Sequence, residues 1–245
     1  MCSEVVLSVR GLVKRFGGFT AVNSVSFDVF AGEVFCIVGP NGAGKTTILR
    51  IIAKVIEPDS GEVLAFNGLV RWGSIEYRRL ISYLPEDAGV YRNITGLDYL
   101  RFIASMYFDD SSSIEDSVRR GVELSGLGDR VRDMAGSYSK GMRRRLLLAS
   151  TLMVNPRIAI LDEPTAGLDV VYSIDMRRVI VDYVRSTGGS VIMSSHNMLE
   201  VSYVCSRVAL INRGVIVGLG APGELLDKYN AINLEEVFIK VAGGG

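Results

Sequence analysis

The stretch Gly39-Pro40-Asn41-Gly42-Ala43-Gly44-Lys45-Thr46-Thr47 constrains this chain more than any other. It fits the pattern G-x-x-x-x-G-K-[ST] and follows an unbroken apolar run, Val34-Phe35-Cys36-Ile37-Val38, which predicts a strand buried on both faces of a sheet. Behind the loop, Ile48, Leu49, Ile52 and Ala53 recur at helical spacing. Strand, glycine loop and helix in that order make a phosphate cradle. Glycines let the backbone curl so that N–H groups face phosphate oxygens, and the free N–H groups and dipole of the following helix favour an anion. In such a cradle Lys45 reaches the β- and γ-phosphates and the Thr46 hydroxyl ligates Mg²⁺.

At 245 residues the chain can bury a large core, as one two-lobed domain or two small ones. Lys plus Arg number 27 and Asp plus Glu number 27, so the formal net charge is zero. That balance offers no general field for nucleic acid and leaves room only for a local patch. The three cysteines, Cys2, Cys36 and Cys205, are scattered and form no C-x-x-C pair. They predict a reduced, cytoplasmic chain without a disulfide frame or zinc site. Glu4 and Arg10 flank the first short apolar stretch, which is not the pattern of a signal peptide. The apolar segment from Leu146 to Val154 is interrupted by Ser150 and Thr151, so no segment is expected to span a membrane.

In chain order, Val5 to Val9 and Val25 to Phe30 predict two strands, separated by a turn-rich segment, Lys14 to Phe19, that displays aromatics. Pro58 to Gly61 reads as a turn and Glu62 to Phe66 as a strand. Ile81 to Leu84 is a short strand running out into Pro85-Glu86-Asp87-Ala88-Gly89. From Thr95 to about Ser150 the apolar spacing turns helical, which suggests an inserted lobe. Strands then return at Ile158–Leu161, Val191–Met193 and Val208–Ile211, with helices over Val179–Val184 and Met198–Val204. Asn212-Arg213-Gly214 should hairpin into Val215–Leu219. Helices are expected from Pro222 and over Leu234–Val241, and Gly243 to Gly245 should fray. The expected architecture is one α/β domain over residues 1–245. Its core, a mainly parallel sheet, takes residues 1–86 and 154–220, with an N-terminal antiparallel β subdomain. The helical lobe takes 87–153, and the C-terminal helices and tail take 221–245.

Asp162 and Glu163 follow the apolar strand Ile158–Leu161, at the strand end where open parallel sheets bind ligands. Asp162 is placed to hold Mg²⁺ as the acidic partner of Thr46, and Glu163 to polarise a water as general base. The competing reading, a solvated turn that ends a strand, weakens beside the phosphate loop. His196, the only histidine, leaves another strand on the same edge. A lone histidine is more often a structural hydrogen-bonder, but here it can contact a γ-phosphate and orient Glu163. Ser139 and Gly141 open a further helix, which makes a second anion-binding end or simply a capped helix.

Together these motifs resemble, in order and approximate spacing, the ATP-binding subunits of ABC transporters. The residues that carry the resemblance are Gly39–Thr47, the Ser139/Gly141 segment, Leu161–Pro164, Ala166-Gly167-Leu168-Asp169 and His196, and it extends from Phe16 to about Leu226. It implies a P-loop NTPase fold and a subunit that dimerises head to tail. Each ATP would then lie between the phosphate loop of one subunit and the Ser139 segment of the other. By the same resemblance Phe16 matches the aromatic that stacks on adenine, with a core role and its neighbour Phe19 as alternatives. Asp169 matches an inter-subunit loop that couples the two sites.

Two departures from the family stand out. Its usual Leu-Ser-Gly-Gly-Gln is Tyr138-Ser139-Lys140-Gly141-Met142 here, and its usual Gln after the Tyr-Leu-Pro exit is Glu86. Glu86 is either a ligand for Mg²⁺ or water or a residue of a solvated loop. The implied partner is a separate membrane-spanning transporter subunit, through which this cytoplasmic chain would sit peripherally on the inner face of the cell membrane. The arrangement resembles exporter-like single-domain systems, and no nucleic acid is expected. The rival reading is a soluble ABC-type ATPase working on a ribosome, nucleic acid or assembly machine. Such proteins usually carry tandem ATPase units, a coiled-coil insertion or a basic face, none of which the sequence shows. A nucleotide-binding regulator without turnover is the third reading.

Overall fold

The computed structural model describes residues 4–243, so Cys2 and the glycines at 244 and 245 lie outside the described residues. Two sheets organise the molecule. β1 (Val5–Phe16), β2 (Phe19–Phe30) and β4 (Ser60–Ala65) form an antiparallel sheet in the order β2-β1-β4. β3 (Val34–Val38), β5 (Ile81–Leu84), β6 (Ile158–Leu161), β7 (Ser190–Ser195), β8 (Arg207–Asn212) and β9 (Val215–Gly220) form the second, in the order β5-β6-β7-β3-β8-β9. Every pair in it is parallel except β8–β9. Its strands are short apolar runs because both faces are covered, as parallel sheets require.

Alternation along β3 divides the interior. Phe35 and Ile37 face the antiparallel sheet and α1 (Lys45–Ile52), packing with Phe27, Val29 and Ile48. Val34, Cys36 and Val38 face the other core, which holds Leu100 of α3 (Gly96–Ala104), Val118 of α4 (Ser111–Ser125) and Leu147 of α5 (Lys140–Leu152). Thr95, Asp110 and Ser139 cap those three helices by accepting backbone N–H groups through their side chains. α6 (Val170–Thr187), α7 (Met198–Val204), α8 (Pro222–Tyr229) and α9 (Leu234–Ala242) complete the fold. Among the described residues, no helix is long and apolar enough to cross a membrane.

Three features differ from the sequence expectation. The segment read as turn-rich is mostly strand: Lys14 pairs with Val22, Arg15 with Thr20 and Phe16 with Phe19. Only Gly17 and Gly18 turn, and Gly17 supplies the positive φ of 56° that the hairpin needs. A short helix, α2 (Ile75–Leu80), was not foreseen. It is fixed by the Ser74 cap on Tyr77 N (3.1 Å) and by the buried Tyr77 hydroxyl donating to Ile52 O (2.7 Å). Finally, Cys36 and Cys205 are joined as a disulfide across 169 positions, with Cα atoms 5.9 Å apart. The expectation of separate thiols is corrected, because β3 and β8 are neighbours and bring the two side chains into one core.

The bridge is directly countable. Denatured without reductant, the chain should titrate two fewer thiols than after reduction. Equal counts in the two states would dismiss it.

Candidate functional site

Strands that end level with one another place their following residues side by side. In the sheet register Leu84 pairs with Leu161, Leu161 with Met193, and Val38 with Ser195. The exits at Gly39, Pro85, Asp162 and His196 therefore share one edge. The loop after β3 is held by backbone contacts: Gly39 N donates to Ser195 O (3.4 Å), and Gly214 N in the β8–β9 turn donates to Ala43 O (3.0 Å). A Cβ on Gly39 would collide with the carbonyl of Ile211. Gly44 has φ 105° and packs on the carbonyl of Ala21. No side chain caps α1, whose first-turn N–H groups keep their capacity for an anion.

Inside this edge lies a compact charged centre. Lys45 Nζ donates to Gly39 O (2.8 Å) and Pro40 O (3.2 Å) and sits 3.4 Å from Glu163 Oε1, both side chains buried. His196 Nδ1 donates to the other Glu163 oxygen, Oε2, at 2.8 Å. Thr46 Oγ1 donates to Asp162 Oδ1 (3.1 Å), and so does Ser194 Oγ (2.6 Å). Ser194 Oγ also accepts from Glu163 N (2.8 Å). Glu163 takes φ 46°, a left-handed conformation that costs a non-glycine residue about 1–3 kcal/mol and persists only when its surroundings hold it.

The loop borders a cavity of about 350 Å³, lined by Asn41 to Thr47, Phe16, Phe19, Glu86 and Glu163. Phe16 and Phe19 are 50% and 59% exposed, so neither is a core aromatic, and both line the cavity. Lys14 Nζ lies 5.5 Å from the Phe16 ring centroid. Glu86 is exposed at the cavity wall.

The remaining expected residues lie on other elements. Ser139 Oγ accepts from Met142 N (3.2 Å), and a Cβ on Gly141 would meet the Tyr172 ring 2.8 Å away. Asp169 caps α6 by accepting from Tyr172 N (3.0 Å). Gly141 and Asp169 thus meet the same tyrosine, and neither they nor Ser139 line the cavity.

Two residues escaped the sequence. Ser194 directly follows the expected strand Val191–Met193 and carries no sequence signal of a role, yet it links Asp162 to Glu163. Arg144 lies in the run Arg143-Arg144-Arg145, which reads as a solvated basic face, but it is only 7% exposed. Its guanidinium donates to the carbonyls of Pro85 (3.1 Å), Glu86 (3.0 Å), Asp162 (2.9 Å), Glu163 (2.9 Å) and Pro164 (2.8 Å). Burial draws its pKa below the usual arginine value, against the charges of Asp162, Glu86 and Glu163. No sequence pattern marked either residue.

The centre suits a hard divalent cation. Asp162 is fully buried, and its Oδ2 has no hydrogen-bond partner, a costly state for a carboxylate oxygen. With Thr46 it makes an all-oxygen donor set, and Glu86 stands on the same cavity wall. Mg²⁺ typically takes one or two protein oxygens and completes its shell with water and phosphate, which this set allows.

Comparison with known proteins gives a consistent result. Residues 22–166 match the family model described as ABC transporter. The lipopolysaccharide export system ATP-binding protein LptB of Escherichia coli is 34% identical over 225 residues, spanning 90% of this chain and 92% of that protein. A solved ATP-binding subunit of an ABC transporter superposes with TM-score 0.84 at 24% identity, over 97% of this chain and 99% of that one. The ATP-binding cassette MJ0796, solved as a dimer in a post-hydrolysis state with ADP and phosphate, gives 0.77 at 20% identity, over 88% and 98%. The expected fold, a P-loop NTPase cassette with a mostly parallel sheet and an antiparallel β subdomain, is the one observed.

The tightness of the loop can be measured. Gly39→Ala should lower stability in urea unfolding by about 1–3 kcal/mol, because the backbone carbonyl of Ile211 stands in the way of the new methyl. Gly18→Ala, with no atom within 4 Å, is the control and should be near neutral. Equal midpoints for the two variants would show that the loop has room to give.

Proposed function

The chain belongs to the ABC transporter family, as an ATP-binding subunit, and from that premise we propose that it hydrolyses ATP to drive export through a separate membrane-spanning partner. The observation that carries the proposal is the buried Lys45–Glu163–His196 contact set beside the Thr46–Asp162 pair. The export direction follows the name of the LptB relative.

In this reading the Gly39–Thr47 backbone and Lys45 bind the phosphates, and Phe16 or Phe19 stacks on adenine. Thr46 and Asp162 would hold Mg²⁺, with Glu86 as a candidate further ligand, and the chemistry so supplied would be neutralisation of charge on the phosphoryl group. Lys45 trades its contacts with Gly39 O and Pro40 O for phosphate oxygens. Glu163 takes a proton from the attacking water, while His196 orients its carboxylate and stabilises developing charge. In this reading the helical lobe, residues 87–153, passes the motion of hydrolysis to the membrane partner through the part around Glu86 to Arg101. A working position at the inner membrane face is then supplied by the partner rather than by this chain. The rival ribosomal, nucleic-acid or assembly role has no supporting feature in the site.

Ser139 and Gly141 stand off the cavity, which supports a site shared between two chains, with Asp169 beside their common tyrosine as the coupling residue. The dimeric neighbour with ADP and phosphate adds to that support.

Two experiments test the reading. Glu163→Gln should keep MgATP affinity while hydrolysis falls on the order of 10²-fold or more, and ATP should trap a larger species in gel filtration. Near-normal turnover in that variant would remove Glu163 as base. For the shared site, Lys45→Ala and Ser139→Ala should each be nearly inactive alone. Mixed and allowed to exchange, they should recover roughly a quarter of wild-type activity, since half the dimers are mixed and each holds one whole site. Activity that stays at the single-mutant floor, with mixed dimers demonstrably present, would sink independent shared sites.

A further inference from the structure

A guanidinium carries five N–H donors in a rigid planar fork. All five of Arg144 are used, Nε on Pro164 O, Nη1 on Pro85 O and Glu86 O, and Nη2 on Asp162 O and Glu163 O. Pro85 and Glu86 follow β5, and Asp162 to Pro164 follow β6, so one side chain from α5 closes the seam between two neighbouring strand exits. Three of the five residues it grips by their backbone carry the site's carboxylates: Glu86 and Glu163 line the cavity, and Asp162 belongs to the metal site. Arg144 itself does not line the cavity.

A plain staple between lobe and core would be served by any accessible backbone. Here the grip coincides with a strained peptide. Glu163 sits at φ 46°, and its two backbone polar groups are both held: N by Ser194 Oγ at 2.8 Å, O by Arg144 Nη2 at 2.9 Å and by Ala166 N at 3.1 Å, so Arg144 supplies the one side-chain hold on that carbonyl. Asp162 is held the same way, N by Leu84 O at 2.8 Å and O by Arg144 at 2.9 Å. A left-handed non-glycine residue relaxes toward extended backbone once its partners let go. Relaxation at Glu163 would swing its carboxylate away from Lys45 and His196 while leaving the phosphate loop intact.

We propose that Arg144 is a positioning residue, which holds the β5 and β6 exits so that Glu163 stays aimed at the reacting water and sets the rate of turnover without touching nucleotide. This rests on the assignment of Glu163 as base given above. Arg144 lies on the helix that Ser139 caps, so in a shared site the end of α5 facing one nucleotide is rigidly joined to the residues acting on the other.

The test uses the full chain with MgATP and compares wild type, Glu163→Gln, Arg144→Lys and Arg144→Ala. Lysine keeps the charge but has three donors for five carbonyls. Arg144→Lys should lose about tenfold in kcat and Arg144→Ala on the order of 10²-fold, the scale expected when a reacting group is misplaced by about 1 Å. KM for ATP and the affinity for a fluorescent ATP analogue should stay within about threefold. Amide hydrogen exchange over 162–166 should accelerate in both variants, with the phosphate loop unchanged. A folded Arg144→Lys with wild-type kcat, a KM that rises in step with the loss, or unchanged exchange over 162–166 would each overturn the proposal. So would failure of both variants to fold, which would make Arg144 architectural only. If wild type itself shows no turnover, it is the functional reading that falls, and the exchange measurement alone decides Arg144.

Discussion

Parallel strands that stop within two residues of one another are the constraint on which the site depends. The β5-β6-β7-β3 order sets four chain exits in a row, and each contributes one kind of chemistry. β3 delivers a loop of backbone donors, β6 delivers two carboxylates, β7 delivers a hydroxyl and an imidazole, and β5 delivers Glu86. Shifting one strand by a single residue would turn its whole side-chain set to the opposite face. The alternating cores on either side of β3 forbid that slip, because Phe35 and Ile37 would exchange environments with Cys36 and Val38. Packing far from the cavity thereby fixes positions within it.

At the charged centre, polar groups are buried at high density and nearly all are paired. Asp162 Oδ1 takes two hydroxyl donors, while Glu163 takes a lysine on one oxygen and a histidine on the other. The buried oxygen left over, Asp162 Oδ2, is what a structural network would avoid and a cation site would keep. Glu163 shows the same pattern in its backbone, where an unfavourable conformation is held by flanking hydrogen bonds.

How much of this was legible in the sequence depended on range. Gly39–Thr47 announces itself because the chemistry needs its residue types at consecutive positions. Leu161-Asp162-Glu163 and Ser195-His196 were readable as strand exits, since short apolar runs followed by polar residues mark sheet edges. The β1–β2 hairpin was missed beyond Val9 because Lys14, Arg15 and Phe16 break the alternation; Arg15 and Phe16 are tolerated by exposure and Lys14 by its ion pair with Asp59. Arg144 and the Cys36–Cys205 bridge depend on pairs separated by many residues, and local spacing says nothing about either. Arg144 is hidden further by the arginines on both sides of it. The conflict between Phe16 and Phe19 was a matter of burial, which periodicity could not supply and exposure at the cavity resolves against a core role for both.

The place of β3 in the sheet has a consequence for how the molecule is made. Its two neighbours, β7 and β8, begin at Ser190 and Arg207, so the strand that feeds the phosphate loop has no sheet partner until late in synthesis. Gly214, which donates to Ala43 O in the loop, comes later still. At about 5–20 residues per second, the interval between β3 and β8 lasts roughly ten to thirty seconds on the ribosome. During that time Val34-Phe35-Cys36-Ile37-Val38 is an apolar segment with open edges, the kind of sequence that chaperones hold. The nucleotide cavity is therefore among the last parts of the chain to be completed, although the loop that defines it is among the first to be made.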